Sequence, residues 1–272
     1  MSYTFYCSGA NRIPDYMGLA HAGINFGVSI QELNAHRLQG VIELATVFPT
    51  LKVFVDSGAF AEVQYSKQGV RSIREPITHS DWLSRLSKYE DLVSAYQDRL
   101  IVVAPDCVGD QQETLRRLRT YKPQVLNLIS KCSVIVPLQV GDLSLSEMYN
   151  QVVEILGTYD FVTGIPCKKG ATSIEDLAQL IYEEYPFPIH LLGVSPSSTK
   201  WPRIKAMLEG LEYPIQHLSL DAVRLRALVM RKAYLGPLTQ KMDYYKGLGY
   251  SIIDAKIAAI RDLKSVILKD IS

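Results

Sequence analysis

The chain has almost no excess charge of either sign. Its 29 lysines and arginines are balanced by 28 aspartates and glutamates, which leaves a formal net charge of +1. Proteins that attract nucleic acid through their overall field carry a clear positive excess. Any contact with a polyanion must therefore come from a local basic patch.

Cysteine is scarce and lacks the spacing of a metal site. The four cysteines form no C-x-x-C pair, whereas zinc ligands are clustered in sequence or on one face. The sequence therefore predicts no metal and no cofactor. Free cysteines are usually buried, so we expect reduced thiols near the strands at Cys7, Cys107, Cys132 and Cys167.

Long apolar runs and targeting signals are also missing. No stretch approaches the length of a membrane span, and no basic region followed by an apolar segment and a cleavage site opens the chain. We therefore expect a cytoplasmic protein without a membrane partner. No repeat, low-complexity segment or linker divides the 272 residues, which predicts one domain, 1–272, with a helical C-terminal region.

Short apolar runs alternate with segments of helical periodicity. Such runs are typical of parallel strands buried on both faces, and the alternation indicates an α/β fold. A chain of this length suits a TIM-type (β/α)8 barrel, and no Gly-rich phosphate motif follows the first strand. An eighth strand is not evident, which leaves an irregular or missing last unit open. The seven predicted strands cover residues 3–7, 52–55, 100–104, 134–138, 161–165, 189–194 and 215–220.

Polar residues stand at the ends of these runs, where barrel enzymes keep their chemistry. Asp56, Asp106 and Asp221 each follow a predicted strand directly or closely. Three carboxylates in one ring repel each other and are costly to bury, which is typical of a functional site. The alternative for Asp56 is the cap of a helix, since aspartate is favoured there. For Asp110 the cap is the better interpretation.

The order of these motifs resembles the tRNA-guanine transglycosylase superfamily over about residues 53–227. Residues 56–60 (DSGAF) are similar to its Asp-Ser-Gly-Gly-Phe/Tyr-Gln motif, and Gln139 matches the glutamine of its Val-Gln-Gly motif. Residues 164–166 (GIP) and 191–195 (LLGVS) are similar to its Gly-Leu-Ala and Leu-Met-Gly-Val-Gly stretches. Asp106 and Asp221 stand where its substrate-reading and nucleophilic aspartates lie.

The resemblance implies covalent base exchange. Asp221 would attack C1′ of the target nucleotide, and Asp56 would be the general acid and base. The implied base-binding residues are Asp106, Gln139, Gly164 and Ile165, with Phe60 and Leu192 as apolar walls.

The family's zinc site is absent, because no cysteine follows Cys167. A short, zinc-free relative most resembles the DpdA family, which inserts 7-deazaguanine derivatives into DNA. The expected function is therefore exchange of guanine for a preQ0-type 7-deazaguanine in DNA, with other DNA-modification proteins as partners. The phosphate contacts are expected from Lys168, Lys169, Lys200, Arg203, Arg224 and Arg226.

Three alternatives stay open from the sequence. The first is the same exchange on tRNA. The second is a barrel that binds a nucleobase or nucleotide without catalysis, as a partner subunit. The third is an unrelated barrel enzyme with a phosphate site near residues 193–195.

Overall fold

A computed structural model describes residues 2–66, 71–168, 171–211, 217–225, 228, 230–231 and 234–268. The strands are β1 (Tyr3–Cys7), β2 (Phe26–Ser29), β3 (Val53–Asp56), β4 (Val63–Tyr65), β5 (Arg71–Ile73), β6 (Leu100–Val103), β7 (Ser133–Pro137), β8 (Val162–Pro166), β9 (Ile189–Leu192), β10 (Leu218–Ala222), β11 (Met230–Arg231) and β12 (Tyr234–Leu235). The helices are α1 (Ile13–His21), α2 (Ala35–Val47), α3 (His79–Tyr96), α4 (Gln111–Thr120), α5 (Lys122–Ile129), α6 (Leu145–Leu156), α7 (Ile174–Glu184), α8 (Trp201–Glu209), α9 (Pro237–Gly247), α10 (Ile252–Asp262) and α11 (Lys264–Ile267).

Eight parallel strands close into a barrel, which confirms the predicted fold class. Their order around the barrel is β1, β2, β3, β6, β7, β8, β9 and β10, and β10 pairs with β1. The strands β4 and β5 form a separate antiparallel hairpin after β3, and β11 and β12 form another. At the C-terminal end of the chain, α10 packs on α1 and α9. Within the described residues, no helix is both long and apolar enough to span a membrane.

The barrel strand that the sequence analysis does not find is β2, the second in the chain. The last unit of the barrel is therefore not missing, because β10 closes the barrel. The strand that was not predicted lies near the start of the chain. The four residues of β2, FGVS, contain glycine and serine and form no apolar run. The predicted cap at Asp110 is confirmed, because its side chain accepts a hydrogen bond from the Glu113 N–H at 2.9 Å and caps α4.

Gly27 in β2 is required by close packing inside the barrel. A Cβ atom there would lie 2.6 Å from Cδ1 of Phe54 and 2.9 Å from Cβ of Ser8. Phe54 belongs to an apolar cluster inside the barrel with Tyr6, Ile101, Val103, Ile135 and Val162. This cluster is separate from the larger core that the barrel buries with its helices.

Gly27→Ala is expected to lower the free energy of unfolding by about 1–3 kcal/mol, because overpacked interiors must shift side chains or backbone. Urea denaturation measures the change. The matched control is Gly247→Ala at the end of α9, where an added Cβ meets nothing within 4 Å. The control is expected to be neutral or slightly stabilising. Equal losses in both variants would contradict the packing argument.

Candidate active site

Three carboxyl groups meet at the C-terminal end of the barrel. Asp56 is the last residue of β3, Asp106 follows β6, and Asp221 lies in β10. The charge of Asp221 raises the pKa of Asp56, and the charge of Asp56 raises the pKa of Asp106. The structure therefore brings together the three aspartates that the sequence analysis singled out.

Asp221 is the carboxylate held most firmly in its charged form. Its Oδ1 accepts a hydrogen bond from the Gly193 N–H at 2.8 Å and lies 3.3 Å from Nε2 of His190. Burial alone would raise its pKa, but the hydrogen bond and charge of His190, with the Gly193 N–H, hold the pKa of Asp221 below its ordinary value. The side chain is 11% exposed. Asp221 is thus a fixed negative charge in the barrel wall.

His190 is a site residue that the sequence analysis missed. Its ring is fully buried, and Nδ1 lies 2.8 Å from Oγ of Ser219. It stacks on Phe54 with ring centroids 5.1 Å apart. The sequence signal that could have found it is a histidine between Ile189 and Leu191. These two neighbours face the outer core, so the side chain between them faces the barrel interior.

Asp56 is the most accessible of the three carboxyl groups. Gly58 has φ = 74°, in the left-handed region that favours glycine, and its N–H donates to Oδ2 of Asp56 at 3.0 Å. Burial, together with the nearby Asp221 charge, raises the pKa of Asp56 to about 6. Asp56 does not cap a helix, so the alternative considered for it is not observed. Its proton is exchangeable near neutral pH.

Asp106 and Gln139 bind each other. Oδ1 of Asp106 accepts from the Ser57 hydroxyl at 2.7 Å, and Oδ2 accepts from Nε2 of Gln139 at 3.0 Å. Oε1 of Gln139 in turn accepts from the Gly109 N–H at 2.8 Å. Both side chains are only 4% exposed. Burial raises the pKa of Asp106 to about 7, so this group is half protonated near neutrality.

A buried ion pair supports the loops that carry Asp56 and Asp106. The Arg117 guanidinium donates to Oε1 and Oε2 of Glu62 at 2.6 and 2.8 Å, and its Nη1 also donates to the Asp106 carbonyl at 2.5 Å. Burial would lower the pKa of Arg117, but its bonds to Glu62 and Glu113 raise it. The sequence analysis missed this pair.

The residues predicted as apolar walls and backbone contacts of the base lie in different parts of the structure. Phe60 is 49% exposed, and Nζ of Lys168 lies 4.1 Å from its ring centroid. Leu192 packs on the cluster inside the barrel. Ile165 instead faces the core under the helices and is fully buried. The Gly164 carbonyl accepts from the Leu138 N–H at 2.8 Å, so these two residues serve the barrel itself.

Three of the predicted phosphate-binding residues, Lys168, Lys200 and Arg203, line one cavity, which Arg224 does not line. Lys200 donates to the Thr172 carbonyl, and Arg203 lies 3.7 Å from Glu175. Arg224 donates to Ser195 and Ser197 and, at 3.2 Å, to the Val266 carbonyl. Its guanidinium therefore joins the loop after β9 to the C-terminal helices. Lys169 and Arg226 lie outside the described residues.

No residues suitable for a metal centre are found in the part of the chain that the structure describes. It contains no group of three or more histidine, cysteine, aspartate or glutamate side chains that could hold an ion. The four cysteines are free thiols, three of them buried.

Comparison with known proteins gives a fold and no family. No family model matches the chain, and no curated protein matches it. A solved structure described as a fructose-1,6-biphosphate aldolase from Coccidioides immitis superposes with a TM-score of 0.55 at 11% identity, over 98% of this chain and 89% of that one. Oxaloacetate acetylhydrolase, in complex with the product oxalate, gives 0.51 at 13% identity over 99% and 92%. Proteus mirabilis N-acetylneuraminate lyase gives 0.50 at 9% identity over 98% and 82%.

This comparison corrects the expected function. These three matched barrels are an aldolase, an acetylhydrolase and a lyase, not nucleic-acid transglycosylases. The exchange of guanine for a 7-deazaguanine, on DNA or tRNA, is therefore wrong, and so is the role in DNA modification. The likeness of the motifs to the tRNA-guanine transglycosylase superfamily stays a prediction. The structure also gives a physical reason: the polar groups of Asp106 and Gln139 expected to read a base are bonded to each other and to the protein.

Proposed function

We propose that the chain is an enzyme that removes a proton from, and returns it to, a carbon next to a carbonyl group in a small molecule. Asp56 is the acid–base group. The observation that carries the proposal is a partly exposed carboxyl at the barrel mouth with its pKa raised to about 6, beside a carboxylate fixed in its charged form. Pairs of acidic groups whose pKa values are pushed apart by their surroundings are typical of acid–base sites.

Asp56 meets the requirements of a general base. The best base has a pKa near the working pH, because it is then both ionised and strong enough to accept the proton. Its Oδ2 is held by the Gly58 N–H. Among the described residues, Oδ1 accepts no hydrogen bond. That oxygen is the atom that would take the proton from a substrate.

A positive charge beside Asp56 would stabilise the negative charge that forms on the substrate in this reaction. Removing a proton next to a carbonyl places negative charge on the carbonyl oxygen, and a fixed cation at that oxygen stabilises the transition state. The charges of Lys168 and Arg85 both act on Asp56. Arg85 is tied to the Ser57 carbonyl at 2.7 Å, whereas the Lys168 ammonium group, which lies over the ring of Phe60, makes no hydrogen bond or ion pair within the described residues. Lys168 is therefore the cation that a substrate oxygen would meet.

Asp106 is the second titrating acid of the site. Its pKa of about 7 lies above that of Asp56, so part of it is still protonated where Asp56 has ionised. A protonated carboxyl beside the reacting group adds no repulsion against the developing oxyanion, whereas a carboxylate there would. The substrate class and reaction are taken from these side chains, since the matched structures establish only the fold.

The test is exchange of substrate hydrogen for solvent deuterium. The protein is incubated in D2O with a panel of 2-oxo acids and phosphorylated hydroxyketones, and loss of the proton next to the carbonyl is followed by NMR. The rate is expected to rise as pH increases through about 6, where Asp56 loses its proton, and to fall above about 7, where Asp106 ionises. A rate equal to that without protein for every compound would contradict the proposal.

A further inference from the structure

A cavity of about 680 Å³ opens next to Asp221 at the C-terminal end of the barrel. It lies between the loops that follow β8 and β9, and Gly193, whose N–H holds Asp221, is part of its wall. Its volume is within the range of sites for small ligands, about 300–1,000 Å³. The cavity is thus placed to hold the part of a substrate that does not react.

The charge of the cavity wall is positive. Lys168, Lys200 and Arg203 line it, against a single carboxylate, Glu175. Glu175 and Arg203 are 77% and 71% exposed and 3.7 Å apart, a geometry that contributes little. Within the described residues, neither Lys168 nor Lys200 has a carboxylate oxygen within 4 Å. The wall therefore favours an anion.

The start of α8 adds to this preference. The helix has nine residues, no side-chain cap and no acidic residue in its first turn. Among the described residues, the backbone N–H of Arg203 has no acceptor. Helix N-termini attract anions through such N–H groups and the helix dipole. By contrast, α7, which begins at the same cavity, is closed by a capping box from Ser173 and Asp176.

Thr172 is independent evidence for a ligand. This cavity-lining residue is 1% exposed, and its hydroxyl has no hydrogen-bond partner in the described part of the chain. A buried hydroxyl without a partner is costly, and nearly all are paired. A ligand oxygen in the cavity would supply the missing partner.

We infer that this cavity binds the phosphate group of a small phosphate monoester. Lys200 and Arg203 supply the charge, the backbone N–H of Arg203 in the first turn of α8 supplies a donor, and Thr172 supplies a hydroxyl. The inference deepens the proposed function, on which it rests for the link to Asp56, by naming the substrate class. A nucleic-acid phosphate is a poorer fit, because the cavity has the dimensions of a small ligand.

Calorimetric titration of the full chain with inorganic phosphate and with glycerol phosphate, at low salt, tests the inference without turnover. We expect saturable binding that weakens about tenfold in Arg203→Ala and in Thr172→Val, since hydrogen bonds to charged groups are among the stronger ones. Thr172→Val keeps the shape of the side chain, so its melting temperature should not fall. The control is Lys122→Ala, which removes a positive charge at a separate surface cavity lined by Arg119, Lys122, Glu154 and Ile155.

Absence of saturable phosphate binding by the unchanged protein would overturn the inference, as would equal affinities in Arg203→Ala, Thr172→Val and Lys122→Ala. Phosphate binding and proton exchange are separate measurements. Exchange without phosphate binding removes the phosphate site and keeps the proposed function. Binding that persists in Asp56→Asn, where exchange is lost, supports both.

Discussion

Replacing Arg117 with leucine is expected to lower the free energy of unfolding by about 3–5 kcal/mol, because removing one member of a buried ion pair leaves the other charge without compensation. The side chains of Arg117 and Glu62 are 4% and 1% exposed. Glu62 would keep the Ile77 N–H as a partner, at 3.0 Å, but would lose both guanidinium bonds. Urea denaturation followed by circular dichroism measures the loss.

Arg116→Leu is the matched control, one residue earlier on the same helix. Arg116 also binds a carboxylate, Glu113, at 2.6 Å, but its side chain is 64% exposed. Exposed pairs contribute about 0–1 kcal/mol, so this variant should unfold close to the unchanged protein. If both variants unfold at the same urea concentration, burial is not what makes the Arg117 pair strong.

The Arg117 pair also connects stability to the site. Arg117 donates to the Asp106 carbonyl, while Glu62 follows Asp56 by six residues in the chain. The same interaction therefore fixes the ends of two neighbouring strands. Arg117→Leu protein that remains folded is expected to show a changed pH profile of proton exchange, because the position of Asp106 is no longer held.

The barrel was predictable from the sequence because most strands buried on both faces form apolar runs. The strand β2 breaks this rule, since Gly27 fills a position where Phe54 and Ser8 leave no room for a side chain. Its identity as a strand depends on neighbours that are 19 and 27 residues away along the chain. No local pattern carries that information.

The three aspartates were predictable for a related reason. Parallel strands of a barrel end at the same rim, so carboxylates that end them must be neighbours. His190 and the Arg117–Glu62 pair were not predictable, because their roles depend on partners that only folding brings close. His190 is a histidine in an apolar strand, and the two charges of the pair are 55 residues apart. The predicted function was wrong because a short motif at a strand end indicates where a side chain lies and not what it binds. Asp106 and Gln139 lie at the predicted strand ends, but they bind each other.

Asp56→Asn is expected to lower the rate of proton exchange by about 10²–10⁴, the usual contribution of a positioned acid–base group. Asparagine keeps the shape and can still accept the Gly58 N–H, but it cannot take a proton. Asp142→Asn is the control, an exposed carboxyl in the loop after β7, and should leave the rate unchanged. Full exchange by Asp56→Asn would remove Asp56 as the base.

The same substitution should not destabilise the fold, which separates a catalytic loss from unfolding. The raised pKa of Asp56, about 6 against an ordinary 3.8, means that the native state holds this proton more tightly than the unfolded chain. Stability of the unchanged protein therefore falls as pH rises from about 4 through 6. Asparagine has no proton to lose, so Asp56→Asn should be the more stable protein at pH 8, by up to about 3 kcal/mol at 1.4 kcal/mol per pKa unit, and the difference should vanish near pH 4. A variant less stable than the unchanged protein at pH 8 would contradict this prediction, because the ionised Asp56 would then stabilise the native state.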